Sequence, residues 1–330
     1  MSHRDVVLVG VDGSAPSLHA LDWAAAEAHR LGWPLHVVCA YSLPSFTAAS
    51  LDGGYAALDD SAILDGAKSV LEEARARAEA RGIEVRATVT TGDPAGVLVD
   101  LSREHRLVVV GTRGHGGFAG RLLGTVSSAL PAHSHCPTVV VPYLGEDGER
   151  TAISSVASNA GLEPVDQRPL FPIRRIVVGM DGSPTAEVAL RSALLQQRLW
   201  GCELVAVAGV PVGAGVGMLA WLPAAVDHEA VLADVAEGLN VIVDRVLQDF
   251  PEQSVRRIVL DGTGAELLTE FSTASDLVVV GSRGRGGFAG LLLGSTSQAV
   301  LHHAKCPVMV VTKRSAAADK PETVAPGSAG

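Results

Sequence analysis

The chain repeats itself at an offset of about 170 residues, and this repeat constrains its fold more than any other feature of the sequence. The segment 111–125 reads GTRGHGGFAGRLLGT and the segment 281–295 reads GSRGRGGFAGLLLGS, so eleven of the fifteen positions are identical. An Asp-Gly-Ser triplet at 12–14 returns at 181–183. This period is far above the roughly 20–50 residues of a solenoid unit, so each copy is expected to be a complete domain.

The repeat divides the chain into four predicted regions. The first domain is expected at residues 1–145 and the second at residues 173–313. Residues 146–172, with their mixture of Ser, Ala, Glu, Pro and Arg, are interpreted as a linker. Residues 314–330 form a polar tail that cannot bury a core, so we expect it to be disordered.

Within each copy, short apolar runs alternate with segments of helical periodicity. Strands separated by helices give right-handed crossovers and a parallel sheet covered on both faces. We therefore predict two tandem α/β domains of doubly wound type. In the first copy the predicted strands are 6–11, 35–40, 83–89, 107–110 and 138–141, and the predicted helices are 16–31, 61–81 and 94–105. In the second copy the predicted strands are 176–180, 204–208, 255–260, 277–280 and 308–311, and the predicted helices are 185–200, 228–249 and 265–273.

The charge balance argues against nucleic acid and membrane as partners. Lys and Arg total 26 against 36 for Asp and Glu, which gives a net charge of −10. Non-specific binding to nucleic acid or to an acidic membrane needs a basic face. Aromatic residues make up only 4%, which is too few for stacking single-stranded bases.

Residues 204–226 carry no charge and are long enough to cross a bilayer. Four glycines and two prolines would interrupt a helix there, so we predict a strand followed by an apolar loop. The cysteines, Cys39, Cys136, Cys202 and Cys306, are widely spaced and form no Cys-x-x-Cys pair. Reduced thiols and an N-terminus without signal-peptide features predict a cytoplasmic location.

A glycine-rich loop follows the fourth predicted strand of each copy. Its pattern is G-x-x-G-x9-G-[ST], with glycines at 111, 114 and 124 and again at 281, 284 and 294. Glycines leave backbone N–H groups unshielded, so the chain can curl around an anion. The last glycine precedes an apolar helical stretch, whose N-terminal amides and dipole add to the cradle. The pattern therefore predicts a phosphate site in each copy, with a ligand-free surface loop as the alternative.

Asp12 and Asp181 follow the first predicted strand of their copies. One interpretation is an Asx-turn or a cap for the following helix. The other is a carboxylate that accepts hydrogen bonds from a nucleoside. In a doubly wound sheet of order 3-2-1-4-5, the first and fourth strands flank the point where ligands bind. That order would place Asp12 beside Gly111 and Asp181 beside Gly281, and both interpretations stay open.

Histidines and cysteines cluster before the last strand of each copy, but we predict no metal site there. Three or four converging ligands are needed, and only His133 and His303 have an equivalent in the other copy. The favourable interaction of histidine with a helix C-terminus explains the clusters without a metal.

The Asp-Gly-Ser triplet, the glycine loop and the Cys-Pro pair before the last strand together resemble the universal stress protein family in its tandem form. The resemblance covers residues 1–145 and 173–313. It implies two Rossmann-like (flavodoxin-like) domains, each with a five-stranded parallel sheet of order 3-2-1-4-5. It also implies assembly through the fifth strands, within one chain or in a homodimer. Each domain would bind ATP or another adenine nucleotide, alone or with Mg²⁺.

The resemblance also implies which positions contact the nucleotide. The first strand and its aspartate would meet the adenosine, the loop would wrap ribose and phosphates, and the helix start would close the phosphate end. In the first domain these positions are Gly10, Asp12, Ala40, Gly111, Arg113, Gly114, His115, Gly116, Gly117, Arg121, Gly124, Thr125, Val126 and Ser127. In the second domain they are Gly179, Asp181, Gly209, Gly281, Arg283, Gly284, Arg285, Gly286, Gly287, Gly294, Ser295, Thr296 and Ser297. Leu291 stands where the first copy has Arg121, so we expect unequal occupancy of the two sites.

We expect a stress-response protein that senses or sequesters nucleotide and is not a dedicated enzyme, because no general base is aimed at a terminal phosphate. Two alternatives stay open. One is a slow Mg²⁺-dependent ATPase or phosphotransfer module that uses Asp12 or Asp181. The other is an interaction scaffold with empty sites.

Overall fold

The computed structural model describes residues 5–42, 60–114, 123–144, 152–164, 172–211, 227–285 and 292–315. Strands and helices alternate in both copies, as predicted. The first copy contains β1 (Val7–Gly10), α1 (Ala15–Leu31), β2 (Leu35–Tyr41), α2 (Asp60–Glu79), β3 (Val85–Thr91), α3 (Pro94–Leu101), β4 (Leu107–Gly111), α4 (Thr125–His133) and β5 (Thr138–Val141). After a short helix, α5 (Ser155–Asn159), the second copy contains β6 (Arg175–Gly179), α6 (Pro184–Trp200), β7 (Glu203–Val210), α7 (His228–Leu247), β8 (Arg256–Asp261), α8 (Gly264–Phe271), β9 (Leu277–Gly281), α9 (Ser295–His303) and β10 (Val308–Val311).

The strands form one ten-stranded sheet of order β3-β2-β1-β4-β5-β10-β9-β6-β7-β8. Each half is parallel and has the order 3-2-1-4-5, which confirms the predicted fold class. The halves join where β5 and β10 run antiparallel, with Val139 opposite Met309. The expected joining through the fifth strands therefore occurs within one chain. Dimerisation of whole chains stays a prediction.

The core consists of two layers, one on each face of the sheet, because successive strand residues point to opposite faces. Val7 and Val9 pack with α1 and α2 on one face, while Leu8 packs with α3 and α4 on the other. The same division continues through the second half, where α6 and α7 cover the first face and α8 and α9 the second. Both faces of the sheet are thus covered, which explains why the central strands are apolar throughout.

The predicted linker contains helix α5, which sequence reasoning missed. Ser154 caps this helix: its side chain accepts from the Ala157 N–H, and its own N–H donates to Thr273 Oγ1 over 2.9 Å. Ala157 and Leu162 are buried in the same core layer as α8. Arg256 of β8 donates to the carbonyl oxygen of Gly161 over 3.1 Å. This part of the linker is therefore fixed to the second domain.

Several boundaries differ from prediction. The helix expected at 94–105 ends at Leu101, and the Ser102 hydroxyl donates back to the Val99 carbonyl. The helix expected at 265–273 ends at Phe271 and continues as a 3-10 turn. β3 is a half-exposed edge strand, as its alternating sequence predicted.

Of the uncharged stretch 204–226, β7 forms the first part, which confirms the predicted strand. Residues 212–226 lie outside the described residues, as do 316–330 of the predicted tail. None of the described helices combines the length and the apolar character needed to cross a membrane.

Candidate functional site

A cavity of about 340 Å³ lies at the carboxyl ends of β1 and β4. These strands are neighbours in the middle of the first half, so the cavity occupies the predicted switch point. Its volume is that of a small-molecule site. Lining residues come from strand ends, from the glycine loop and from the start of α4: Gly10, Val11, Asp12, Ser17, Val38, Ala40, Pro94, Leu98, Val110, Gly111, Arg113, Gly114, Leu123, Gly124, Thr125, Val126 and Ser127.

One end of this cavity is an apolar slot. Its walls include Val38, Ala40, Leu98 and Val110. A Cβ added to Gly10 would come within 2.6 Å of Leu98 Cδ1, so the glycine is what lets α3 approach β1 this closely. Sequence reasoning missed Leu98. The repeat could have revealed it, because Leu268 stands 170 positions later and its Cδ1 lies at the same 2.6 Å from where a Cβ on Gly179 would stand.

Asp12 lies between the slot and the loop. Its Oδ1 accepts from the N–H of Ser14 over 3.0 Å and from the Ser14 hydroxyl over 2.6 Å, which is the Asx-turn interpretation. Asp12 also abuts the loop, because a Cβ on Gly114 would collide with Asp12 Oδ2. The prediction that the aspartate lies beside the glycine loop is therefore confirmed, while a contact with nucleoside stays a prediction.

The other end of the cavity is the N-terminus of α4. The N-cap residue is Gly124, which has φ −83° and ψ 175° and no side chain that could accept from the first-turn amides. α9 likewise begins after Gly294. The other α-helices whose N-cap is described are capped by a side-chain oxygen, from Ser14, Asp93, Ser154, Ser183, Asp227 and Thr263. The two helices that follow the glycine loops thus present first-turn N–H groups without a side-chain cap, as an anion site requires.

Ser127 has a positioning role that its sequence pattern did not reveal. Its hydroxyl accepts from the Gly124 N–H over 2.9 Å and donates to the Thr112 carbonyl oxygen over 2.7 Å. The side chain is buried, so it fastens the start of α4 to the end of β4. Ser297 makes the equivalent bond to the Ser282 carbonyl oxygen over 3.1 Å.

The second domain repeats this geometry with one difference in its loop. Asp181 accepts from the Ser183 N–H through Oδ1 and from the Arg285 N–H through Oδ2, over 2.9 and 3.0 Å. The Arg285 guanidinium lies over Gly182, within 2.6 Å of where a Cβ would stand. The first copy has His115 at the position of Arg285.

Some predicted site residues fall outside the described residues: His115, Gly116, Gly117, Arg121, Gly286, Gly287 and also Leu291. Among the residues that the structure does describe, His, Cys, Asp and Glu form no group of three that could hold a metal ion.

These features define a class: tandem doubly wound α/β domains, each with an uncapped helix N-terminus at the switch point of its sheet. A family profile described as the universal stress protein family matches residues 3–142 and 172–312. The chain belongs to the universal stress protein family.

Known relatives and solved structures agree with this assignment. Universal stress protein Rv1996 of Mycobacterium tuberculosis is 33% identical over 327 residues, covering 92% of this chain and 94% of that protein. Universal stress protein Rv2005c of the same organism is 33% identical over 309 residues, covering 92% and 96%. A crystal structure of a universal stress protein from Archaeoglobus fulgidus DSM 4304 shares the fold, with a TM-score of 0.62, 22% identity and coverage of 93% and 98%.

Proposed function

We propose that the protein binds an adenine nucleotide in each domain, with ATP as the principal ligand, and acts in stress response as a nucleotide-dependent regulator. One observation carries the proposal: a single cavity joins an apolar slot to a helix N-terminus that has no side-chain cap. A nucleotide has the matching two ends, a planar apolar base and an anionic phosphate chain.

The cavity walls assign a region to each part of the ligand. The base would lie between Val38 and Leu98, below the backbone of Gly10. The ribose would meet Asp12, whose Oδ1 is already oriented by Ser14. The phosphates would accept from the first-turn amides of α4, where the helix dipole favours negative charge.

We also propose that the protein is a binder and not a dedicated enzyme. Asp12 is the carboxylate among the lining residues, and its Oδ1 is held by two hydrogen bonds from Ser14. Hydrolysis of a phosphate needs a general base within hydrogen-bond reach of the attacking water, and the bonds from Ser14 engage Asp12 Oδ1 in the turn instead. Any Mg²⁺ would arrive with the phosphates, and Asp12 is the lining side chain suited to approach it.

Two further expectations belong to this proposal. Whole chains are expected to form homodimers, which sedimentation at several concentrations would test. A cytoplasmic location fits the buried thiols of Cys39 and Cys306, and burial raises the pKa of Cys306 to about 12, which keeps it inert.

The direct test is to denature freshly purified protein and identify any released nucleotide by mass. Calorimetric titration of nucleotide-free protein with ATP, ADP and AMP then ranks the ligands. The proposal is supported if ATP binds and is not hydrolysed. Turnover that Asp12→Ala plus Asp181→Ala abolishes without loss of binding would identify an ATPase instead. Absence of both released nucleotide and measurable binding would leave the interaction scaffold.

A further inference from the structure

Helices α1 and α6 are repeat counterparts of each other. Each has 17 residues, begins after a capping serine, and ends at a glycine with φ 66°. The caps Ser14 and Ser183 are 169 positions apart, and so are Gly32 and Gly201. Every residue of α1 therefore has its counterpart 169 positions later, on α6.

Where these helices meet, counterpart contacts counterpart. Gln196 Nε2 donates to Glu27 Oε1 over 2.6 Å, across a separation of 169 residues. Arg30 Nε donates to the Leu199 carbonyl oxygen over 2.9 Å, across the same separation. In a contact between equivalent faces, a residue meets its own equivalent only at the twofold axis. The two pairs are one helical turn apart, so they mark the pseudo-twofold axis between the domains.

At this axis the two domains differ in chemistry. The Glu27 carboxylate is 0% exposed, and the group it faces is an amide. Its second oxygen accepts from the Trp200 indole N–H over 3.1 Å. The counterpart of Trp200 on α1 is Leu31, which has no donor. The second domain thus supplies two donors that the first domain lacks.

We propose that the contact of Glu27 with Gln196 and Trp200 makes the pairing face selective, so that a first domain accepts a second domain and rejects another first domain. Two first domains would bring two Glu27 carboxylates together and would replace the indole donor by Leu31. A buried charge without its partner is strongly destabilising. The two strands that join the domains offer no such selection, because β5 (TVVV) and β10 (VMVV) are both buried and carry no charged side chain.

Discrimination between a first and a second domain at this face depends on the protonation state of Glu27. Burial raises the pKa of Glu27 to about 7 from its ordinary value of 4.5, against the opposing effect of the hydrogen bonds from Gln196 and Trp200. Because the folded pKa is the higher one, the stability that Glu27 contributes to the native pair is fully present below about 4.5 and is lost as pH rises through 7. Rejection of a second carboxylate requires ionised groups, so it is strongest above pH 7. The charged groups around the adjoining cavity are Arg30, Arg106 and Arg198, and within the described part of the chain none forms an ion pair with Glu27.

The test uses full-length variants. Each variant reproduces, within one chain, the side chains that would meet if two first domains or two second domains paired. Gln196→Glu places two carboxylates at the axis, as two first domains would. Glu27→Gln places two amides there, and the exchange Glu27→Gln/Gln196→Glu restores one carboxylate and one amide. Gln248→Glu, an exposed position at the end of α7, is the matched control for the added charge.

Urea unfolding at pH 5.5 and pH 8 is the first measurement. We expect Gln196→Glu to lower the midpoint, and to lower it more at pH 8 than at pH 5.5. Gln248→Glu places a carboxylate at a helix C-terminus, so it should lower the midpoint slightly and by the same amount at both pH values. The exchange variant should recover most of the loss. A Gln196→Glu protein that folds at pH 5.5 but does not fold at pH 8 counts as the same result. An unchanged midpoint, a loss independent of pH, or an exchange variant no better than Gln196→Glu would overturn the proposal.

Co-refolding of two variants tests selectivity itself. When chains carrying Gln196→Glu refold with chains carrying Glu27→Gln, exchange of domains between chains restores one carboxylate against one amide at both axes. Native mass spectrometry of an equal mixture should then find more heterodimers than random pairing gives, that is, more than twice the amount of either homodimer. A merely structural contact gives the random ratio, and that result would reject selectivity.

Discussion

His36 Nδ1 lies 2.9 Å from His105 Nε2, and the two imidazole rings meet edge to edge with their centroids 5.1 Å apart. His105 Nδ1 is 2.7 Å from the Leu101 carbonyl oxygen, which can only accept, so this nitrogen carries the proton. His105 Nε2 must then accept from His36 Nδ1, and His36 Nε2 accepts from Thr88 Oγ1 over 2.9 Å. The chain of hydrogen bonds is complete only while both rings are neutral.

We predict that acid weakens the first domain through this pair. Burial and the neighbouring His105 lower the pKa of His36 to about 4, and burial lowers the pKa of His105. Because these pKa values lie below the unfolded value of 6.5, their contribution is present above pH 6.5 and is lost as pH falls toward 4. The free energy of unfolding should fall by up to about 3 kcal/mol from His36 over this range. Urea unfolding at a series of pH values measures it.

The second domain supplies the control for this prediction. Val205 and Ser275 stand at the counterpart positions, and Ser275 Oγ donates to the Phe271 carbonyl oxygen over 3.0 Å. The double variant His36→Val/His105→Ser copies that arrangement and should flatten the pH dependence between 6.5 and 4. An unchanged slope in this variant would contradict the assignment of acid sensitivity to the pair.

A serine in place of Gly124 should weaken nucleotide binding without unfolding the protein. The position already has N-cap backbone angles, and a Cβ there would lie 3.6 Å from the Thr112 carbonyl oxygen, an ordinary contact. The new hydroxyl would cap the amides that the phosphates need, so we expect affinity to fall about tenfold or more. A tenfold loss is about 1.4 kcal/mol, near the lower end of what a hydrogen bond to a charged group contributes. Exchanging glycine for serine at an N-cap changes stability by only a few tenths of a kcal/mol.

Calorimetric titration of Gly124→Ser measures this effect, and Gly294→Ser is its matched control in the second domain. Each variant should weaken one class of site and leave the other unchanged. Full affinity at both sites in Gly124→Ser would show that the phosphates do not use the amides of α4.

The order of the strands was predicted from the resemblance to the family, whereas the strands themselves and the position of the cavity were predicted from features local to one repeat. Apolar runs mark the central strands, and the glycine spacing marks where β4 meets the start of α4. Helix α5 was not predicted because its five residues show no periodicity. Its stability depends on burying Ala157 in the core layer of α8. The contact of Glu27 with Gln196 was not predicted because it also depends on another part of the chain. The repeat offset relates these residues, but only the antiparallel joining of β5 and β10 brings them together.

The two nucleotide sites should differ in affinity, because the two loops place their positive charges differently, with Arg285 in the second loop where the first has His115. Arg121 adds a positive charge to the first loop where the second has Leu291, and we predict that it contacts phosphate. Gly114→Ala and Gly284→Ala each disable one site, because a Cβ at either position would collide with the aspartate beside it. Titration of Gly284→Ala then reports the first site and titration of Gly114→Ala the second. Identical affinities in the two variants would contradict the prediction.

Removing the anchor of the linker should destabilise the second domain. Leu162 is 2% exposed and packs in the core layer of α8, so Leu162→Ala should cost about 2–4 kcal/mol in the free energy of unfolding. The segment 152–164 should also become accessible to protease, because its backbone contacts with Arg256 depend on the same docking. Leu144→Ala is the control, since Leu144 is 41% exposed and its replacement should change stability by less than about 0.5 kcal/mol. Urea unfolding and limited proteolysis measure the two effects, and a Leu162→Ala protein as stable and as resistant as the control would show that α5 contributes nothing to the fold.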